Sequence, residues 1–178
     1  KVVVIGSSAG GLAALSFLLE HLPAGFQPPV IIVQHRIKDE RDLLEDILRS
    51  KSKVSVRQCG EKEKVASGVH VAPPDYHLLV EPDQTFSLSV DPPLHFSRPS
   101  IDVLFETAAP VYTKDLTGIV LTGANVDGAN GIRTIYDAGG VTLAQDPAEA
   151  EFPVLPAAAI ATGKVIHVLK LQGILNLF

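Results

Sequence analysis

Val2-Val3-Val4-Ile5-Gly6-Ser7-Ser8-Ala9-Gly10-Gly11 sets four apolar residues before a glycine-rich turn, and Leu12-Ala13-Ala14-Leu15-Ser16-Phe17-Leu18-Leu19 follows. An unbroken apolar run suits a strand buried on both faces of a parallel sheet. The segment after the turn reads as a helix, so the chain opens strand–turn–helix, the unit of an α/β fold. The turn spells G-x-S-x-G with Ser8 at its centre. In that motif a serine sits on a sharp bend with its hydroxyl held out at the end of a sheet. The adjoining helix N-terminus offers unpaired N–H groups that suit a developing oxyanion. The same N–H groups also suit a phosphate. A dinucleotide fingerprint wants glycine at its first, third and sixth positions, and these are Gly6, Ser8 and Gly11 here. No Gly-Lys-Ser/Thr follows to make a phosphate loop of the other kind. A plain structural turn, with Ser8 capping the helix, is the third reading.

Outward from this unit the pattern repeats. Residues 30–33 are a second continuous apolar run, ending at Gln34-His35. Residues 41–50 carry Leu43, Leu44, Ile47 and Leu48 at helical spacing. Residues 54–57 form a short strand, and residues 68–72 another, closed by Pro73-Pro74. Residues 77–80 and 85–90 make a hairpin about a polar turn, and prolines at 92, 93 and 99 mark a loop. Ser100 or Asp102 caps a helix over residues 101–111. A strand at 117–122, a glycine-rich loop, a helix at 129–138 and a strand at 141–145 restore the α/β alternation. A short helix at 156–162, a strand at 164–169 and a last helix from 172 complete it. The expected fold is α/β: a three-layer, doubly wound, mostly parallel sheet with helices on both faces and one antiparallel hairpin.

Composition narrows the function classes. With 178 residues and 46% hydrophobic content, one domain with a substantial core is expected over residues 1–178. No apolar run reaches the ~18 residues of a membrane helix, and no signal-peptide pattern is present. A formal net charge of −5 argues against binding that depends on neutralising nucleic-acid phosphates. The single Cys59 makes no internal disulfide, which fits a reducing cytoplasm. Neither a metal nor a cofactor is expected, because the cysteine and six scattered histidines show no ligand spacing. The mixed charges of residues 38–42 read as a solvated face. Lys1 leads straight into a strand without an initiator methionine, which suggests an excised domain or a missing terminus.

In open α/β sheets ligands gather beyond the carboxyl ends of the strands. Ser8 follows the first strand, His35 follows the second, and Asp127 lies in the loop after the strand at 117–122. Serine needs a base to take its proton. Histidine suits that role, and a carboxylate on the far ring nitrogen would hold its tautomer. Each has a plainer reading: Ser8 and Asp127 as helix caps, His35 as one histidine among six. His77, read as a hairpin residue, is the next base. Asp102, Asp137 and Asp146 compete for the acid's place, with Asp146 the main rival because it too follows a strand. The order Ser–His–Asp differs from the Ser–Asp–His order of common α/β-hydrolases.

The chain resembles the catalytic domain of the bacterial chemotaxis CheB-type protein-glutamate methylesterases. The resemblance rests on Ile5-Gly6-Ser7-Ser8-Ala9-Gly10-Gly11, Val33-Gln34-His35, and Arg98-Pro99-Ser100-Ile101-Asp102-Val103-Leu104-Phe105. Leu121-Thr122-Gly123 with Asp127-Gly128-Ala129, and Ala138-Gly139-Gly140 with Ala144-Gln145-Asp146, extend it nearly end to end. It implies Ser8, His35 and Asp127 as the catalytic residues. It further implies hydrolysis of γ-glutamyl methyl esters on the cytoplasmic domain of methyl-accepting chemotaxis receptors, releasing methanol, and deamidation of receptor glutamines. Oxyanion or substrate contacts are implied near Ala9, Gly10 and Ala124. A regulatory receiver domain is usual in the family and is not in this chain. Three departures stand out: Ala9 where threonine is frequent, Gly123-Ala124-Asn125 where Gly-Met-Gly is common, and Leu155-Pro156 for Met-Pro. They leave open an alternative, a weak or inactive homologue that binds receptors or signalling proteins.

Overall fold

The computed structural model describes residues 1–36 and 43–178. The charged stretch at 38–42 and the first two residues of the helix expected from 41 lie outside the described residues. Seven strands form one parallel sheet: β1 (Val2–Ser7), β2 (Val30–Gln34), β3 (Val56–Gln58), β4 (Val69–Val71), β7 (Leu116–Val120), β8 (Val141–Gln145) and β9 (His167–Leu169). Their order is β3-β4-β2-β1-β7-β8-β9. The remaining pair, β5 (His77–Val80) and β6 (Phe86–Ser89), is a separate antiparallel ribbon.

Side chains alternate along a strand, so β1 feeds two cores. Val2 and Val4 join one apolar cluster and Val3 and Ile5 the other. Helices α1 (Gly11–His21), α2 (Leu44–Lys51) and α6 (Leu171–Leu175) bury Leu15, Leu18, Leu48 and Ile174 in the second cluster. The first cluster receives α3 (Ile101–Tyr112), α4 (Ala129–Asp137), α5 (Val154–Ala161) and the ribbon, through Leu104, Phe105, Ile132, Leu155 and Phe86. This is the three-layer, doubly wound arrangement expected from the sequence.

The differences are at element ends. The strand expected at 54–57 is Val56–Gln58, where pairing with β4 begins at Val56. The strand expected from 164 is confined to His167–Leu169, the residues that pair with β8. The helix expected at 156–162 starts two residues earlier, at Val154, just after Pro153. The expected last helix is one turn, Leu171–Leu175.

Topology decides where a site forms. From β1 the chain moves to β2 on one side, and it returns to the other side at β7. That reversal leaves a crevice at the carboxyl ends of three adjacent strands. Helix α3 reaches this crevice because its Ile101 packs directly on the end of β1. A Cβ placed on Gly6 would lie 2.3 Å from Ile101 Cγ2. Gly6→Ala is therefore expected to destabilise the protein by about 1–3 kcal/mol through overpacking. Ile101→Ala in the same chain should recover part of that loss, so the pair will be clearly non-additive in urea denaturation.

Candidate active site

The serine turn is built on Gly10. Its φ of 75° is a left-handed conformation that glycine adopts freely, and it serves as N-cap of α1. A Cβ there would also lie 2.9 Å from Glu151 Oε2 and 3.0 Å from Thr122 Oγ1. Ser8 does not cap the helix, as α1 has no side-chain cap. The Ser8 N–H donates to the Thr122 carbonyl at 3.0 Å, and the Ser8 carbonyl accepts from Gly11 N–H at 2.8 Å. Ser8 lies on the wall of a cavity of about 390 Å³, with His35, Arg36, Ser97, Arg98 and Asn125 also on its wall.

Gln34 bolts the serine loop to the histidine loop. Its Oε1 accepts from Ser7 Oγ at 2.7 Å, and its Nε2 donates to the carbonyls of Ser8 at 2.8 Å and His35 at 2.9 Å. His35 follows β2 directly, and its N–H donates to the Ser7 carbonyl. Its ring Nε2 lies 2.7 Å from Asp127 Oδ2, and only 8% of the side chain is exposed.

Asp127 is fully buried and does not cap the helix that follows it, whose N-cap is Gly128. Its carboxylate instead faces the N-terminus of α3. Oδ2 accepts from Ile101 N–H at 2.6 Å as well as meeting His35, and Oδ1 accepts from Asp102 N–H at 3.0 Å and Ser100 Oγ at 2.8 Å. Burial alone would raise this carboxyl. The His35 hydrogen bond and the Asp102 and Ile101 N–H groups outweigh it and hold the group below the usual carboxylate range.

The rival acids have other work. Asp137 pairs with Lys164 at 3.1 Å, and Asp146 Oδ1 accepts from Ala148 N–H in a local turn. His77 accepts from Ser100 N–H at Nδ1 and meets the Pro92 carbonyl with Nε2, so it supports α3 from behind. Asp102 does not cap its own helix, where Ser100 accepts from Val103 N–H. It caps α4, with Oδ1 accepting from Gly128 N–H at 2.9 Å and Gly131 N–H at 2.7 Å.

The structure thus brings His35 and Asp127 into contact and sets Ser8 on the same cavity. Among the described residues, the hydrogen bonds of the His35 ring go to Asp127, Ser97 and Asn125, and none joins it to Ser8. Ala9, Gly10 and Ala124 lie in the two loops flanking Ser8, and no described hydrogen bond uses their N–H groups. Sequence reading does not single out Gln34, Ser97, Ser100 or Asn125 as site residues. Gln34 is marked by its place before His35 and within the Val33-Gln34-His35 segment of the resemblance, with no role attached. Asn125 was marked only as a departure in the aspartate loop, and Ser97 carried no signal. Among the described residues there is no cluster of His, Cys, Asp or Glu able to hold a metal. No described helix is long and apolar enough to cross a membrane.

The family model for CheB methylesterase matches residues 3–178. A Leptospira interrogans protein named for protein-glutamate methylesterase and protein-glutamine glutaminase is 46% identical over 179 residues, covering 100% of this chain and 93% of that protein. The protein-glutamate methylesterase/protein-glutamine glutaminase of Symbiobacterium thermophilum is 36% identical over 175 residues, 98% of this chain and 48% of its own length. The crystal structure of the Thermotoga maritima CheB methylesterase catalytic domain is similar with a TM-score of 0.94 at 30% identity, covering 100% of this chain and 98% of that one.

The second acid carries a stability prediction. Burial is the main cause that raises the Asp102 carboxyl above its ordinary value; repulsion from Asp127 adds to it, and the Gly131 and Gly128 N–H groups oppose it. Its Oδ2 is buried without a hydrogen-bond partner, 3.7 Å from His95 Nε2. A carboxyl raised in the folded state gains stability as pH falls from the folded value toward the unfolded one, and lacks that gain at neutral pH. Asp102→Asn is therefore expected to stabilise the fold by about 1 kcal/mol at pH 7.5. The advantage over wild type should shrink in chemical denaturation as the pH is lowered and wild-type Asp102 takes up its proton in the folded state.

Proposed function

The chain belongs to the CheB methylesterase family, and we propose that residues 1–178 form one methylesterase domain. It removes methyl esters from glutamyl side chains of chemotaxis receptors and deamidates receptor glutamines, with Ser8, His35 and Asp127 as its catalytic residues. The observation that carries this reading is the His35–Asp127 contact of 2.7 Å at the cavity into which Ser8 opens.

The chemistry follows from the geometry. Asp127 occupies His35 Nε2, so Nδ1 is the nitrogen left to act as base. Ser8 Oγ attacks the ester carbonyl carbon while His35 Nδ1 takes the hydroxyl proton. Charge on the carbonyl oxygen is received by the N–H groups of Ala9, Gly10 and Ala124, which no described hydrogen bond engages. Asp127, kept ionised by α3, balances the imidazolium. His35 then returns its proton to the departing methoxide, and methanol leaves. A water, deprotonated by His35, attacks the acyl-enzyme carbonyl; His35 passes that proton to Ser8 Oγ as its bond to the acyl carbon breaks, which restores the serine and frees the glutamate. With glutamine the leaving group is ammonia.

Ala9 and Ala124 stand where the family pattern has larger side chains, but the groups used here are backbone N–H groups, which alanine retains. The partner is the cytoplasmic domain of a methyl-accepting receptor, reached from the cytoplasm, and a receiver domain in a longer protein is the expected regulator. Methanol release from methylated receptor tests the proposal. Ser8→Ala is expected to lower it by at least about 10³-fold, with the melting temperature close to that of wild type. Full activity in Ser8→Ala would overturn the assignment. No release by wild type would favour the binding-only alternative.

A further inference from the structure

The base nitrogen of His35 is already occupied. Asn125 Nδ2 lies 3.2 Å from His35 Nδ1, and Ser97 Oγ lies 3.3 Å from the same atom. Asn125 Nδ2 also donates to Ser97 Oγ at 3.3 Å. The amide's orientation is set from its other end, because Asn125 Oδ1 accepts from Asp127 N–H at 3.2 Å. With that oxygen engaged, only the NH₂ group faces the ring, and an NH₂ group cannot accept. His35 Nδ1 must therefore present its lone pair, and Nε2 carries the proton that goes to Asp127.

The second partner arrives on a strained turn. Leu94 and Ser97 exchange both backbone hydrogen bonds, at 3.1 and 2.8 Å. The two residues between them, His95 and Phe96, have φ of 48° and 62°. Non-glycine residues in that region carry a conformational cost that surrounding structure must hold. Arg98 supplies the hold, donating to the carbonyls of Val90 and Asp91 and pairing with Asp75. The turn leaves Phe96 wholly exposed at the cavity mouth and delivers Ser97 onto the ring.

We propose that Asn125, with Ser97, is a positioning latch that holds His35 Nδ1 in the substrate-free site and withholds the base from Ser8 until an acyl substrate displaces it. Asn125 acts through His35. It stands in the aspartate loop where the resemblance leads one to expect glycine. The latch rests on the reading of Ser8 as nucleophile and His35 as its base.

A small serine-directed reagent tests both separately. Phenylmethylsulfonyl fluoride forms an Oγ–S bond as the S–F bond breaks. The hydroxyl proton passes to His35 and fluoride leaves. The rate of labelling, mapped to the Ser8 peptide by mass spectrometry, reports how often His35 Nδ1 is free. Asn125→Ala and Ser97→Ala are each expected to label Ser8 about three- to tenfold faster than wild type, the equilibrium worth of one neutral hydrogen bond. Asn125→Leu, which fills the space without a donor, should be faster too, whereas an effect of space alone would quicken only the alanine variants. Ser97→Ala changes no residue of the aspartate loop and keeps the Asn125 Oδ1 contact with Asp127 N–H, so the test survives if the Asn125 variants fold poorly. Unchanged or slower labelling at Ser8 in Ser97→Ala and in the folded Asn125 variants would overturn the latch and leave the nucleophile reading standing. No labelling at Ser8 in any of these proteins would overturn the nucleophile reading, and the latch with it.

Discussion

The carboxylate of Asp127 is the point on which the rest of the site depends. It accepts from two backbone N–H groups at the start of α3, from the Ser100 hydroxyl and from the His35 ring. A charge this deeply buried would be costly if it were bare. Here the helix N-terminus supplies donors that have no other intrahelical partner and a favourable dipole. The same four contacts join a loop after β7, the first turn of α3 and the residue after β2. Removing the carboxylate would unpair three donors at the start of α3 and the His35 ring at once. Folding and the orientation of His35 are therefore one problem with one solution.

The arrangement requires close approach at the sheet end. Helix α3 brings its first turn to Asp127 only because Gly6 lets Ile101 sit on β1. Gln34, at the end of β2, then ties the Ser8 and His35 carbonyls to one side-chain amide. Thr122 performs a similar service on the other flank. Its hydroxyl donates to the Ala9 carbonyl and accepts from Phe152 N–H, while its own N–H donates to Gln145 Oε1. Each tie is a buried polar side chain at a strand's carboxyl end, where the sheet's own pairing stops and loop amides need partners.

Much of this was legible in the sequence. Unbroken apolar runs and glycine-rich turns indicated parallel strands, and the positions of Ser8, His35 and Asp127 after strands indicated one crevice. What misled was cap chemistry. An acid beside a helix start reads as that helix's cap, yet Asp127 serves α3 from the loop before α4, and Asp102 serves α4 from within α3. The two exchange partners across 25 residues of sequence, a relation no local pattern encodes. Ser97 was illegible for the same reason, since its contact with His35 spans 62 residues. The short edge strands were misjudged because their length is set by where the neighbouring strand stops pairing, not by their own apolar content.

The two adjacent carboxyls show how environment divides labour between identical groups. Asp127 has four donors and is held ionised; Asp102 has two N–H donors on one oxygen and an orphaned second oxygen, and is pushed toward its neutral form. Pairs of titratable groups driven apart in this way mark the division between a working acid and its support. At the other side of His35 the Asn125 amide, able only to donate, faces the lone pair of Nδ1. In the proposed reaction, proton transfer from Ser8 makes His35 and Asp127 an ion pair across the 2.7 Å contact. On that proposal the charge developing on the ring is met by a carboxylate already in place, whereas the Asn125 and Ser97 contacts at Nδ1 have first to give way.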